Sequence, residues 1–192
     1  MIRFGFAVVL FTCSAAFIGS ARAQTVASLG GETANFFERL FGGPTSPTAK
    51  RLVSWPGTHR PGTIIISTSQ RRLYFILGNG QAIQYGIGVG RPGFTWTGTK
   101  TVSMKREWPS WSPPAAMRRR RPDLPRHMEG GLGNPLGARA LYLGSSMYRI
   151  HGSNEPQTIG YAVSSGCIRM TNADVVDLYN RTRIGTKVVV LH

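Results

Sequence analysis

Residues 148–170 read YRIHGSNEPQTIGYAVSSGCIRM, from Tyr148 to Met170. The stretch holds Cys167 and, sixteen positions upstream, His151, one of four histidines in the chain. Small residues flank both: Gly152 and Ser153 follow the histidine, and Ser164, Ser165 and Gly166 precede the cysteine. A thiol attacks as its thiolate, and with a free pKa near ~8.5 little of it is ionised at neutral pH. An imidazole within hydrogen-bond reach removes that limit by taking the proton. Glycines let backbone N–H groups approach a reacting carbonyl, as an oxyanion hole requires. Taken singly, a lone cysteine reads as a small buried hydrophobe and a lone histidine as structural. The combination points instead to a Cys/His acyl-transfer centre.

Outward from this stretch the text is β. Thr63–Thr68 and Leu73–Leu77 are apolar runs of strand length, with Gln70-Arg71-Arg72 turning between them. Gly78-Asn79-Gly80 is a hairpin signal leading into Gln81–Val89. Gly86, Gly88 and Gly90 fall at period two, so one face there bends or meets another backbone. A phosphate loop needs a following helix, and Arg91-Pro92-Gly93 is not one. Phe94–Met104, Ala140–Leu143, Tyr148–Ile150 and Lys187–Leu191 complete the strands. His151 thus ends a strand, and turns at Asn154-Glu155-Pro156 and Gly160 permit the chain to bring Cys167 back to it.

Thr171-Asn172-Ala173-Asp174 starts a helix, with a capping side chain and an acid in the first turn. Its positive end is expected near Cys167, where it would favour the thiolate by on the order of 1 kcal/mol. Lys105–Gly137 is expected to be a long loop serving as lid or substrate wall, with Trp108, Trp111 and the run Arg118–Arg121. The fold expected is mainly β, with sandwich-like mixed sheets and one short helix after the cysteine.

Length and composition fit one domain with a real core: 192 residues, 41% hydrophobic, 24 glycines and 12 prolines. Residues 1–23 read as a secretory signal. Arg3 starts it, Phe4–Ile18 is apolar, and Ala21-Arg22-Ala23 is a cleavage pattern; a retained anchor is the other reading. Cleavage removes Cys13 and leaves Cys167 alone, whereas exported domains normally pair their cysteines. Residues 24–60 read as a leader, a short helix at most and then a linker, and residues 61–192 as the functional domain. Removing Arg3 and Arg22 with the signal takes the net charge from +15 to +13. Such a chain seeks anionic partners. No nucleic-acid-binding motif is present, so cell-envelope polymers are the expected ones and nucleic acid is not. The spacing of Cys167, His151, His59 and His127 matches no compact zinc pattern, and neither metal nor cofactor is expected.

The segments Ile150-His151-Gly152 and Ser164–Met170, preceded by Gly133–Gly137 and Ala140–Leu143, resemble the L,D-transpeptidase catalytic domain (YkuD-like) family. Asp174, Leu178 and Gly185-Thr186 extend the likeness, which covers about residues 61–191. The resemblance implies an enzyme of the bacterial envelope acting on peptidoglycan stem peptides. A thiolate attacks the bond between the third residue, commonly meso-diaminopimelate, and the terminal D-alanine of a tetrapeptide. A thioester forms, and an amine from another stem, a free D-amino acid or an envelope protein resolves it. Carried over by position, Cys167 is the nucleophile, His151 the general base and Gly152 the residue whose backbone orients the imidazole. Backbone N–H groups around Gly166 and Cys167 would hold the oxyanion, Ser165 belongs to the same substrate and oxyanion set, and Arg169 could hold a substrate carboxylate. Ser165 is a departure, since many members carry His or Arg there. A monomer, located in the periplasm or cell envelope, is implied. The alternative is a non-catalytic basic wall-binding protein of the same fold.

Overall fold

The computed structural model describes residues 47–192. The signal and most of the leader therefore lie outside the described residues. Eleven strands follow in chain order: β1 (Arg51–Ser54), β2 (Ile64–Ser67), β3 (Arg72–Gly78), β4 (Gln81–Gly86), β5 (Val89–Gly90) and β6 (Gly98–Glu107), then β7 (Arg139–Leu143), β8 (Arg149–His151), β9 (Ala162–Ser164), β10 (Ile168–Arg169) and β11 (Lys187–Leu191). Helix α1 spans Ala115–Arg120, and α2 spans Asn172–Arg181. Nine strands form one mixed sheet in the order β1-β4-β3-β2-β11-β6-β7-β8-β10, and β5 pairs with β9. The fold is mainly β with few helices, as the sequence indicates.

Alternation sorts the strand residues onto two faces. Ile64, Ile66, Val188 and Val190 enter the main core with Leu73, Tyr85, Leu141 and Ile150. Their neighbours Ile65 and Val189 turn the other way, onto Ile76 and Ala82. On that second face Val53 of β1, beside Ala82, extends the apolar patch, and Trp55 packs against it. The segment read as linker thus contains a strand, pairing Arg51–Ser54 with Gln84–Gln81. The expected hairpin is present: Asn79 and Gly80 both have positive φ, 50° and 70°, the signature of a two-residue type I′ turn.

Strand β6 is ten residues long and serves two neighbours. Its first half pairs with β11 and its second half with β7, with a register shift between Val102 and Met104. It begins four residues later and ends three later than the sequence suggests. Phe94–Thr97 is therefore loop, and Lys105 lies within the strand. Lys105 Nζ reaches the carbonyls of Tyr179 (2.7 Å) and Thr182 (2.6 Å) and so satisfies the C-terminal end of α2. The long segment after β6 is not bare loop. It holds α1 and a bridge between Trp111 and Met128.

Helix α2 begins as the sequence predicts, with Thr171 Oγ1 accepting from the Asp174 amide at 3.1 Å. It buries Val175 and Leu178. Its outer face is tied to β4, since the Tyr85 hydroxyl donates to Asp177 at 2.6 Å.

Candidate active site

Parallel pairing of β8 and β10 brings the two ends of the deciding stretch together. Ile168 lies opposite Ile150, and Arg169 opposite His151. Cys167 immediately precedes β10, so it stands one step back along the same pair, beside Arg149. The turn that carries it is held by Ser164. That hydroxyl donates to the Cys167 carbonyl at 2.6 Å and accepts the Gly166 amide at 3.1 Å. Gly166 has φ +107°, and a Cβ there would stand 2.6 Å from the Tyr148 ring, so both conformation and space require glycine.

His151 is buried, at 4% exposure. Its Nδ1 lies 2.6 Å from the Gly152 carbonyl oxygen. A carbonyl only accepts, so Nδ1 carries the proton and Nε2 of the neutral ring has a free lone pair. Burial pulls the imidazole pKa down to about 4. The Gly152 carbonyl opposes this shift, while the cations Arg169 and Arg149 add to it. The ring is therefore neutral at physiological pH.

Cys167 is half-buried and is the free cysteine among the described residues. Burial pushes its thiol above the ordinary value, against the pull of the Arg149 amide and guanidinium. The thiol donates to the Met147 carbonyl, with Sγ 3.7 Å from that oxygen, and makes no hydrogen bond to His151. The positive end of α2, expected to favour the thiolate, acts against a desolvation that raises the thiol. Strand β10 intervenes before α2 starts at Asn172, and desolvation of the sulfur dominates. The resting pair is neutral thiol and neutral imidazole.

Two more of the expected site residues have partners within the protein. The Gly166 amide is engaged by Ser164 and is not free to hold an oxyanion. The amides of Ser165 and Cys167 have no partner among the described residues. Arg169 is not a free cation either, because its Nη1 sits 3.0 Å from Glu155 Oε2 and 3.4 Å from Thr158 Oγ1.

Three residues matter that the sequence reading passed over. Asn172 Oδ1 accepts from the amides of Ala138 (2.9 Å) and Ser153 (3.3 Å), tying α2 to the chain on either side of β7 and β8. The same oxygen fills the space a Cβ at Gly152 would need. Trp96 stacks on Tyr148, with centroids 4.4 Å apart and planes 8° from parallel, and its Nε1 donates to the Gly166 carbonyl at 2.8 Å. An aromatic wall therefore backs the cysteine turn. The sequence offered no periodic signal for these contacts, since Trp96 lies in a loop and Asn172 is the first residue of α2.

A free thiol, an imidazole whose Nδ1 is held by a carbonyl and unpaired amides on the same turn have the make-up that a thiol-based acyl-transfer centre requires. The comparisons agree in kind. Residues 61–190 match the L,D-transpeptidase catalytic domain (YkuD), and the chain belongs to that family. A probable L,D-transpeptidase YbiS of Escherichia coli (strain K12) is 38% identical over 141 residues, 69% of this chain and 45% of the relative. The chain spans about half the length of the curated relatives it matches. An L,D-transpeptidase from Mycobacterium smegmatis shares the fold, with TM-score 0.55 at 16% identity, over 68% of this chain and 58% of that one. A Brucella melitensis protein described as a probable carnitine operon oxidoreductase is 44% identical with TM-score 0.51, covering 76% of this chain and 94% of its own.

Proposed function

We propose that this protein is an exported cysteine acyltransferase, an L,D-transpeptidase of peptidoglycan. Its donor is a tetrapeptide stem, and the bond cleaved is the one between diaminopimelate and the terminal D-alanine. The observation that carries the reading is the fixed tautomer of His151, a base with its lone pair free, on the strand beside the Cys167 turn. In the reaction, the thiol leaves its resting contact with Met147 O and gives its proton to His151 Nε2. The sulfur then forms a bond to the carbonyl carbon, and the Ser165 and Cys167 amides hold the developing oxyanion. His151 returns the proton to the leaving nitrogen as the C–N bond breaks and D-alanine departs. An amine then attacks the thioester and regenerates the thiol.

In this reading Gly152 orients the base through its carbonyl, Gly166 shapes the turn, and Arg169 with Glu155 braces the site rather than binding a carboxylate. Residues 1–23 serve as the export signal, and the site of action is the periplasm or cell envelope. The test is to incubate the protein with a disaccharide tetrapeptide, measure D-alanine release and read the intact mass. A thioacyl adduct on the wild type that is missing from Cys167→Ala is expected. Equal adduct on both proteins would end the idea.

The second reading is a basic wall-binding protein without chemistry. It draws on an open cavity of about 790 Å³ lined by Arg60, Arg181, Arg183 and Lys187. Salt-sensitive binding to wall fragments together with an inert thiol would favour it.

A further inference from the structure

Arg149 is the cation that the mechanism above leaves without a task. Its Nη1 donates to the Met147 carbonyl oxygen at 3.2 Å, the same oxygen that Cys167 Sγ faces at 3.7 Å. The two atoms thus lie no farther apart than about 7 Å. The guanidinium is also seated on Tyr142, its carbon 4.9 Å from the ring centroid, across the β7–β8 pair. Its Nε is buried without a partner, and the guanidinium also bears on the Cys167 sulfur, pulling against the burial that raises the thiol. Among the described residues no carboxylate pairs with it, whereas Arg139 is paired with Glu107 and Arg169 with Glu155. This is a positioned, half-buried cation next to the thiol, with no carboxylate of its own among the described residues. A guanidinium fork fits a carboxylate, which it grips through two parallel bonds.

We infer that Arg149 anchors the free C-terminal carboxylate of the donor peptide and so restricts the enzyme to stems that end one residue beyond the bond attacked. One residue extends on the order of 3.5 Å, so a carboxylate one residue beyond the attacked carbon stays within the reach that the shared Met147 oxygen sets between sulfur and guanidinium. A longer stem would place an uncharged amide where the carboxylate belongs, leaving Arg149 unpaired. Sites built around such a contact discriminate strongly against the analogue lacking it. The inference rests on the acyl-transfer reading and names its specificity residue.

The experiment compares two donors, the disaccharide tetrapeptide as free acid and as C-terminal amide, with kcat and KM measured separately for each. Wild type should prefer the acid by roughly 10- to 100-fold in kcat/KM, mostly through KM. Arg149→Gln should bring the acid-to-amide ratio to about 1, and Arg149→Lys, which keeps the charge but not the fork, should fall between. Lys100, whose ammonium lies over the Trp96 and Tyr148 rings at 5.5 and 5.8 Å from their centroids, is the control cation, and Lys100→Gln should keep the wild-type ratio. Equal use of both donors by the wild type overturns the inference without touching the acyl-transfer reading, and needs no variant to fold. A ratio that survives in folded Arg149→Gln, or that is lost in Lys100→Gln instead, also overturns it. A wild type that releases nothing from either donor removes the acyl-transfer reading and this role with it.

Discussion

The Nδ1–H of His151 donates to the carbonyl oxygen of Gly152, its own neighbour, at 2.6 Å. That bond decides which nitrogen is the base, and it makes two parts of the site separable by mutation. Cys167→Ala should abolish the covalent adduct with a carbapenem. His151→Ala should slow the adduct by about 10²- to 10⁴-fold without abolishing it, because the sulfur remains. Intact-mass time courses of the two variants check this. An adduct rate in His151→Ala equal to wild type would show that the imidazole takes no proton from the thiol.

Because burial raises the Cys167 thiol and keeps His151 neutral, the two do not rest as an ion pair. The rate of alkylation by iodoacetamide should therefore still be climbing at pH 9, as thiolate forms. Stopped-flow alkylation from pH 5 to 10 measures it. A plateau already reached below pH 7 would reveal a resting thiolate and contradict the geometry.

The same imidazole links stability to acidity. Its folded pKa, about 4, is below the ordinary 6.5, so the unfolded chain binds the proton more tightly. The contribution is fully present above pH 6.5 and is lost as pH falls from there towards 4. The loss is on the order of 3 kcal/mol at its fullest. Urea midpoints at pH 7 and pH 4.5 should differ more for the wild type than for His151→Gln. Identical differences would remove His151 as the cause.

Gly152→Ala should weaken both fold and chemistry. The new Cβ would run into Asn172 Oδ1 and stand 3.0 Å from the Ala138 amide nitrogen, neither of which is a flexible chain end. Overpacking of this kind typically costs about 1–3 kcal/mol. The carbonyl that holds His151 would shift with it, so adduct formation should slow beyond what the lost stability explains. Thermal melts and adduct rates on one preparation distinguish the two effects.

Val53→Asp tests the covering role of β1. A carboxylate there would face Ile65, Ile76 and Ala82, at a cost on the order of 2–3 kcal/mol, while leaving the cysteine turn untouched. An unchanged urea midpoint would show that the face closes without β1.

Most strands were legible because each had a run of apolar residues or a turn signal of its own. Lys187–Leu191 matches its strand end to end, and Asn79-Gly80 made its turn with the chemistry that such turns demand. Strand β1 was hidden because Arg51–Ser54 is short, lies at the sheet edge and offers a single apolar residue, Val53, to the buried face while Leu52 is exposed. Cys167 and His151 stood out by type and by their flanking glycines. What each neighbour does was not legible, because it depends on who arrives first. Ser164 takes the Gly166 amide, Glu155 takes Arg169, and Arg149 is left over. Such competition is settled by register across β8 and β10, which no local pattern encodes.

Strand β11, the latest in the chain, lies between β2 and β6, with parallel pairing on one side and antiparallel on the other. The sheet is thus completed from its middle by residues 187–191. A nascent chain emerging from the ribosome cannot join its two halves until those residues are out. Fragments that stop short would expose two raw strand edges, on β2 and β6, and invite edge-to-edge association. Closure of the sheet is thus a long-range event between residues far apart in the chain, and such pairings form slowly.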